Sequence, residues 1–341
     1  MRFPGGYPRS PSPPKEGIRK NRFGEKGSLF HENEKATGYL KKLTRRVAAS
    51  LLAALLLTAP TPVLAKESAP PTPRALSQYT ELTLPKVTDR DPTHYKRITV
   101  KLGRAKLAMQ GLYIQGYAYL PLYELLDAYV ETSESKVGAT YRFSAQGLSI
   151  SARDGEYYIV ANGRYFHMQV PTVVMKDGVL YVPMQNASKA LGIKTAFDTS
   201  SLTVTLTGSL TPPISGDRFY AEDAVYWLSR IISAESRGEP SLGQIAVGNV
   251  ILNRVRAKEF PNTIWGVIFD KKYGVQFTPV ANGTIYSAPS ESAIIAAKIC
   301  LEGYSLSSEI LYFYAPYGST SSWVEENRPY LFTIKNHRFF G

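Results

Sequence analysis

The sequence predicts a multidomain protein in which an α+β module of short strands and helices precedes a mostly α domain. Between residues 97 and 208, short alternations of apolar and polar residues are separated by Gly and Asp turns, a pattern typical of strands. From residue 218 to residue 341, apolar residues at helical spacing dominate. The 341 residues are enough for two ordinary domains and additional segments.

Residues 41–65 have the three parts of a signal peptide. Basic residues at 41–46 precede an apolar run at 47–57, and Val63-Leu64-Ala65 forms a small-residue cleavage site before Lys66. The run is short for a transmembrane helix, although an uncleaved membrane anchor is the alternative. We therefore expect export, with cleavage near Ala65.

Residues 1–40 are rich in Pro, Gly and charge, which predicts a disordered basic extension, or else a start codon assigned too early. Residues 1–65 hold 12 Lys and Arg against 4 Asp and Glu, whereas the rest of the chain holds 28 against 24. The excess positive charge thus belongs mostly to the leader, and no basic stripe suggests nucleic-acid binding. Residues 66–96 have no sustained period and are predicted to be a linker.

An internal repeat lies within residues 97–208. Tyr119-Leu120-Pro121-Leu122 and Tyr181-Val182-Pro183-Met184 are 62 positions apart, and each leads into a short amphipathic segment. Each copy is predicted to be a strand followed by a helix that starts at proline. The pattern resembles the copper amine oxidase N-terminal-like domain, which implies a non-catalytic stalk that binds the wall or an accessory protein. His167 alone provides no copper site.

Glu235 is the candidate catalytic residue. Apolar residues from Ala224 to Ile232 recur at helical spacing, and Gly238 and Pro240 then stop the helix, so Glu235 falls in its last turn. The unpaired carbonyls of the helix end and burial against the isoleucine face would both raise its pKa. A carboxyl that stays protonated near neutral pH is a general acid; the alternative is an ordinary solvated glutamate.

Helices are predicted at 222–236, 242–256 and 290–302. The single cysteine, Cys300, lies in an apolar helical pattern and is predicted to be a small core residue, with a nucleophile as the alternative.

Four ordered motifs carry a resemblance to the SleB-type cell wall hydrolase family, the spore cortex-lytic enzymes. They are Ala234–Glu239, Gln244–Arg254, Phe260–Ile264 and Gln276–Thr278. The resemblance spans about residues 220–341 and implies a lysozyme-like, mostly helical catalytic domain at 218–341. It further implies cleavage of the β-1,4 bond between N-acetylmuramic acid and N-acetylglucosamine by lytic transglycosylation, with Glu235 as the acid.

The remaining site residues are expected to bind substrate. They are Glu239, Gln276, Phe277, Thr278, Tyr312, Tyr314 and Trp323, with Tyr317 as a further aromatic platform. The alternatives are an ion pair of Glu239 with Arg237 or Arg254, and core packing for Phe277 and about half of the aromatic residues. His337 is expected to be a structural hydrogen-bonding residue.

Peptidoglycan glycan strands are the expected partner, in the cell wall, the spore cortex or the medium. No cofactor is expected, because the domain has neither metal-ligand spacing nor a nucleophile elbow. The rival interpretation is a non-catalytic glycan-binding or germination scaffold protein. Family members are expected to have Asn near Ala315 and Gly near Lys335, so this chain departs from the pattern at both positions.

Overall fold

The computed structural model describes residues 80–272, 274–316 and 323–341. The predicted extension, the predicted signal peptide and the first part of the predicted linker lie outside the described residues, as does Tyr317. Within the described ranges, no helix has both the length and the hydropathy needed to cross a bilayer.

The strand-rich module, residues 96–207, contains two sheets and two short helices. Its elements are β1 Lys96–Leu102, β2 Ala105–Ile114, β3 Tyr117–Pro121, α1 Leu122–Asp127, β4 Ser133–Val137, β5 Thr140–Ala145, β6 Leu148–Arg153, β7 Tyr158–Ala161, β8 Arg164–His167, β9 Val173–Val174, β10 Leu180–Pro183, α2 Met184–Leu191, β11 Lys194–Asp198 and β12 Thr203–Thr207. One sheet has the order β11-β12-β1-β2-β3-β10-β9, and the other is the meander β4-β5-β6-β7-β8. Only β1 and β12 pair in parallel among these strands.

The two copies of the internal repeat lie side by side in the larger sheet. β3 and β10 pair antiparallel, with Tyr181 opposite Pro121 and Pro183 opposite Tyr119. Pro121 caps α1 and Pro183 caps α2, each in an extended conformation. Because proline lacks an N–H and favours a helix start, each strand passes directly into a helix. The predicted strand-proline-helix form is confirmed for both copies.

Both sheets contribute to one apolar core. Alternate residues of β6, from Leu148 to Ala152, are buried and pack in the same cluster as Ile98 and Leu120 of the larger sheet. The period of two therefore places one face of β6 in the core and turns the other away from it.

The C-terminal part, residues 216–341, combines helices with a small sheet. Its elements are α3 Gly216–Phe219, α4 Glu222–Ser236, α5 Ser241–Arg256, α6 Ile264–Ile268, α7 Thr278–Asn282, a 3₁₀ helix Thr284–Tyr286, α8 Glu291–Leu301, β13 Tyr312–Tyr314, α9 Trp323–Asn327, β14 Tyr330–Ile334 and β15 His337–Phe340. The three predicted long helices are confirmed to within one residue at each end.

The prediction of a mostly α domain is wrong. Fewer than half of residues 218–341 lie in α-helices, because α6, α7 and α9 have only five residues each. The last 30 residues supply an antiparallel sheet in the order β13-β15-β14. These strands are short and rich in aromatic residues. Without knowledge of their long-range pairing, the sequence suggests aromatic residues around a site and not strands of a sheet.

α5 runs through the interior of the C-terminal part. Every residue from Leu242 to Arg254 is buried. At Gly248 the neighbouring helices come close, since a Cβ there would lie 2.7 Å from the Cys300 Sγ and 2.9 Å from Ile232 Cδ1. Cys300 is itself buried, as predicted for a core residue. Contact with α4 on one side and α8 on the other makes α5 the central helix.

Polar side chains of α5 hold the loop after α8. Asn249 donates to the Tyr304 carbonyl at 2.8 Å. The amide of Asn253 donates to the carbonyls of Ser307 and Ile310, each at 2.9 Å. Buried carbonyls of an irregular loop need donors, so these two asparagines determine where residues 304–310 run.

A buried network joins the strand-rich module to the C-terminal part, and all described residues fall in one compact unit. Arg164 of β8 donates to both carboxylate oxygens of Glu302, at 2.8 and 2.7 Å. The Tyr220 hydroxyl also donates to Glu302, at 2.7 Å, and accepts from the Tyr165 N–H at 3.0 Å. A bidentate arginine pair with further hydrogen bonds fixes orientation as well as contact.

Residues 80–96, within the predicted linker, pack against both parts of the chain. The Leu82 N–H donates to the Thr333 carbonyl at 2.7 Å, and the Thr333 N–H donates to the Thr80 carbonyl at 3.0 Å. Further along, Val87 is buried in the strand-rich module with Leu112 and Tyr181. This stretch has little regular structure, in keeping with its lack of sequence period, yet it is held by specific contacts.

We expect Gly248→Ala to destabilise the fold by about 1–3 kcal/mol, because the new methyl group overpacks the contact between α5, Cys300 and Ile232. The measurement is the thermal unfolding midpoint. Gly238→Ala is the matched control, since a Cβ at Gly238 has no atom within 4 Å. Equal midpoints for the two variants would contradict the tight helix crossing.

Candidate active site

Glu235 lies in the last turn of α4, which ends at Ser236. Ile231 and Ile232 of the preceding turn are fully buried, and Glu235 is itself half-buried. Burial raises the pKa of the Glu235 carboxyl to about 7. Of the two causes expected from the sequence, burial is the one that accounts for this shift. No hydrogen bond or ion pair joins the carboxyl to another described residue.

A carboxyl with a pKa near 7 suits proton transfer in both directions. At neutral pH it is protonated about half of the time, so it can donate a proton and then accept one. The partial exposure leaves the group accessible, and the lack of a partner leaves its oxygens available to a substrate.

Hydrogen bonds of Ser233 and Arg237 hold the end of α4. The Ser233 Oγ accepts from the Ser290 N–H at 3.0 Å and from the Arg237 guanidinium at 3.3 Å. Arg237 also donates to the Ala288 carbonyl at 3.1 Å. These bonds tie the helix end to the loop before α8, so the backbone that carries Glu235 is held in place.

Glu239, four residues later, has a different environment. Its side chain is buried, and its carboxylate accepts from the Asn336 side-chain amide at 2.9 Å and from the Asn336 N–H at 3.3 Å. The Nδ1 of His337 lies 3.7 Å away. Burial lowers the pKa of His337, although the nearby Glu239 carboxylate opposes the shift. This geometry favours a positioning role for Glu239, and its predicted substrate contact stays a prediction.

The β14–β15 hairpin holds the loop after α4. Lys335 in its turn has a φ of 48°, a left-handed conformation that glycine adopts more easily. Glycine is the residue that the family resemblance predicts here. The Lys335 Nζ donates to the Gly238 carbonyl at 2.6 Å. The lysine therefore adds a second tie, beside Asn336, between the hairpin and residues 238–239.

A groove of about 610 Å³ lies between the loop after α6, β13 and α9. Its lining residues are Glu259, Phe260, Asp270, Lys272, Gln276, Tyr312, Trp323 and Arg328. Three of the predicted substrate-binding residues, Gln276, Tyr312 and Trp323, therefore meet in one groove. Glu235 is not part of this lining, but its helix α4 packs against α7, which directly follows Gln276 and Phe277.

The other predicted binding residues lie elsewhere. Phe277 is buried in the core and stacks on Phe313 at 6.5 Å, which matches the packing alternative. Thr278 is exposed as the first residue of α7. Tyr314 stacks on Phe340, with ring centres 6.0 Å apart.

Sequence reasoning missed the part played by Arg254. The side chain is buried, and its Nε donates to the Leu311 carbonyl at 2.7 Å. Its guanidinium lies 5.0 Å from the Phe260 ring centre and 5.2 Å from that of Tyr312. Burial lowers the pKa of Arg254 to about 10. The charge is thus accommodated by aromatic faces and a carbonyl, and it orders one wall of the groove.

Arg328 is a second guanidinium group near Tyr312. Its guanidinium lies 4.4 Å from the Tyr312 ring centre and 5.5 Å from that of Trp323. Tyr312 therefore contacts two guanidinium groups, which limits its use as a stacking platform, whereas Trp323 is 51% exposed. The described residues hold no cluster of three or more His, Cys, Asp or Glu that could bind a metal ion.

Residues 238–340 match the family model described as Cell Wall Hydrolase, and residues 100–206 match that of the Copper amine oxidase N-terminal domain. The cell wall hydrolase CwlJ of Oceanobacillus iheyensis is 33% identical over 104 residues, which cover 29% of this chain and 72% of that relative. The chain belongs to the cell wall hydrolase family. Both resemblances predicted from the motifs are confirmed.

Other relatives of this cell wall hydrolase are spore cortex-lytic enzymes. That of Bacillus cereus is 41% identical over 120 residues, covering 35% of this chain and 45% of the relative. The spore cortex-lytic enzyme of Bacillus subtilis is 38% identical over 120 residues, which cover 38% of that relative. The chain thus spans less than half of these relatives. The family match begins at Gly238, three residues after Glu235.

A solved structure is also similar. It is the catalytic domain of the germination-specific lytic transglycosylase SleB from Bacillus anthracis, at 40% identity and a TM-score of 0.33, and the match covers 36% of this chain and 97% of that chain.

We expect Glu235→Gln to stabilise the protein at pH 8. The carboxyl is ionised there in both the folded and the unfolded state, and only the folded state loses hydration of the anion. A pKa raised from 4.5 to about 7 corresponds to at most about 3 kcal/mol, and partial exposure reduces this to about 1–2 kcal/mol. As the pH falls through 7 towards 4.5, the advantage should disappear. Urea unfolding at several pH values measures it.

The matched control for this experiment is Glu309→Gln, at an exposed position. It should change the free energy of unfolding little, because substitutions at exposed surface positions usually do. A Glu235→Gln effect that is independent of pH would contradict the raised pKa.

We expect Glu239→Ala to lower the free energy of unfolding by about 2–3 kcal/mol, because two Asn336 donors lose their buried acceptor. Glu239→Gln, which keeps one acceptor oxygen, should cost less. Urea unfolding gives the stabilities, and the lytic rate per folded molecule gives the functional effect. A stable variant with lysis abolished would instead assign Glu239 to substrate.

Proposed function

We propose that this protein degrades peptidoglycan by cleaving the β-1,4 bond between N-acetylmuramic acid and N-acetylglucosamine, with Glu235 as its acid and base. The observation that carries the proposal is the half-buried Glu235 carboxyl, which has no bonding partner among the described residues and whose pKa is about 7. Family membership and the cortex-lytic relatives support the substrate class.

The reaction that fits a single carboxyl best is lytic transglycosylation. Glu235 transfers its proton to the glycosidic oxygen as the bond from that oxygen to the anomeric carbon of muramic acid breaks. The resulting carboxylate then accepts the proton of the muramic acid 6-hydroxyl, whose oxygen bonds to the anomeric carbon. The products are a 1,6-anhydro end and a free hydroxyl on the released sugar, Glu235 is protonated again, and no water is consumed.

Hydrolysis would require a second carboxylate to act on water or on the sugar. Glu239, the nearest acidic residue along the chain, is committed to Asn336 and lies beside His337. This favours the route that needs Glu235 alone.

The groove lined by Gln276, Tyr312 and Trp323 is the proposed place for part of the glycan. Trp323 presents an exposed aromatic face for a pyranose ring, and Gln276 offers amide groups to hydroxyl or N-acetyl groups. The order imposed by Arg254 and Arg328 keeps this wall in one conformation.

We further propose that the protein acts outside the cytoplasm, in the cell wall or the spore cortex. The predicted signal peptide at 41–65 supports export, and the names of the relatives support the location. The strand-rich module has no reaction of its own in this proposal. Its bonds through Glu302 hold it in a fixed orientation to the catalytic part.

We expect residues 66–341 to release muropeptides with 1,6-anhydro-muramic ends from purified cortex or vegetative peptidoglycan, and Glu235→Gln to reduce this release at least 100-fold. Lysis should decline as the pH rises above about 7, because the acid form of Glu235 is lost. Mass spectrometry identifies the ends, and turbidity of the wall suspension follows the pH profile.

Glu309→Gln again serves as the control and should lyse the wall at the parent rate. Reducing ends from the parent protein would indicate hydrolysis. Wall binding without any lysis would instead support the rival interpretation of a non-catalytic glycan-binding protein.

A further inference from the structure

Three aromatic side chains are unusually exposed on one side of the C-terminal part. Tyr226 of α4 is 41% exposed, Trp265 of α6 is 56% exposed and Tyr286 of the 3₁₀ helix is 61% exposed. We call these three residues the aromatic face. They come from three separate elements, so the fold assembles the face, and no local sequence pattern indicates it.

Two inner rings connect the members of the aromatic face. Trp227 lies against Tyr226 at 4.9 Å, against Tyr286 at 6.3 Å and against Phe269 at 5.2 Å between ring centres. Phe269 in turn stacks on Trp265 at 5.1 Å. The exposed rings are thus supported by a continuous aromatic layer, which holds them in place without burying their outer surfaces.

An open groove of about 550 Å³ adjoins the face and shares Tyr226 with it. The lining of the groove includes two cationic and two acidic side chains, namely Arg230, Lys298, Asp217 and Glu222. The Arg230 guanidinium lies 3.6 Å from the Tyr226 ring centre, and its buried Nε has no hydrogen-bond acceptor among the described residues. The groove therefore places a guanidinium group next to an aromatic ring.

This chemistry fits a carbohydrate. Flat aromatic rings stack on the apolar faces of pyranoses, carboxylates accept hydrogen bonds from hydroxyl groups, and guanidinium and ammonium groups donate to hydroxyl and N-acetyl oxygens. A polyanion would be repelled by Asp217 and Glu222, and a purely apolar partner would leave all four charges of the groove unpaired.

The aromatic face is separate from Glu235. Tyr226 and Glu235 are nine positions apart on α4, which corresponds to roughly 13 Å along the helix and about half a turn in direction. The groove proposed for the reacting glycan also shares no residue with the aromatic face or its adjoining groove.

We propose that Tyr226, Trp265, Tyr286 and the adjoining groove form a second glycan-binding surface, which holds a wall strand away from the carboxyl that cleaves it. The inference rests on the proposed function only in taking the same polymer as ligand. Such a surface keeps the enzyme on an insoluble substrate between cleavage events, since a second contact raises the effective concentration at the first.

The test measures binding in a Glu235→Gln background, so that the polymer stays intact. Cosedimentation with purified insoluble peptidoglycan gives the dissociation constant of residues 66–341 and of the same chain with Tyr226→Ala, Trp265→Ala and Tyr286→Ala. We expect the triple variant to bind at least 10-fold more weakly. Because stacking and hydrogen bonds to neutral sugars depend little on salt, the affinity of the parent should be similar in 0.05 and 0.5 M NaCl, concentrations spanning about a threefold range of Debye length.

The matched control replaces an exposed apolar residue that lies between the two predicted domains, with Ile214→Ser, and should bind like the parent. Trp265→Ala and Tyr286→Ala as single variants keep the test valid if the triple variant unfolds, and each should weaken binding about threefold or more.

Unchanged binding by folded triple and single variants would overturn the inference, as would binding that vanishes in high salt. Loss of self-association in sedimentation velocity with unchanged binding would also overturn it, by assigning the face to contacts between copies. None of these results depends on lysis, so a failure of the proposed reaction is observed separately.

Discussion

The complete burial of α5 is the constraint on which the C-terminal part depends. A helix with no solvent-facing side must be covered on every side, and α4, α8 and the terminal sheet provide that cover. Its polar residues would be unfavourable in this setting without partners, so Asn249, Asn253 and Arg254 each bind carbonyls of the chain between 304 and 311. The same helix thereby supports α4, which carries Glu235, and the groove wall that contains Tyr312.

Two glutamates four residues apart show how environment assigns different roles to one side chain. Glu235 is half-buried without a partner, a condition that weakens the fold and makes the carboxyl reactive. Glu239 is more deeply buried but has Asn336 as a donor, a condition that strengthens the fold and leaves few free lone pairs. A stable protein tolerates the first because the surrounding helices are well packed, and strain of this kind is typical of functional sites.

Local patterns predicted the parts of the fold that depend on nearby residues. The bounds of α4, α5 and α8, the proline-started repeat and the place of Glu235 at a helix end follow from periodicity and stop signals. The terminal sheet, the setting of Arg254 and the aromatic face depend on residues that are far apart in the chain, which a single sequence does not reveal. Lys335 was predictable only in part. The family resemblance identified it as a position where glycine is expected, but only the structure of the hairpin, with its left-handed turn residue, explains why glycine suits that turn.

The pairing of Thr80 and Leu82 with Thr333 has a mechanical consequence. β14 is an edge strand, and this pairing places the start of the described chain on the C-terminal part, ahead of the strand-rich module. Tension applied to the chain at Thr80 acts first on the two backbone hydrogen bonds to Thr333 and on the β14–β15 hairpin beside Glu239. The strand-rich module therefore does not lie between Thr80 and the C-terminal part. A force applied at Thr80 reaches the β14–β15 hairpin, which positions the loop after α4, without passing through the module.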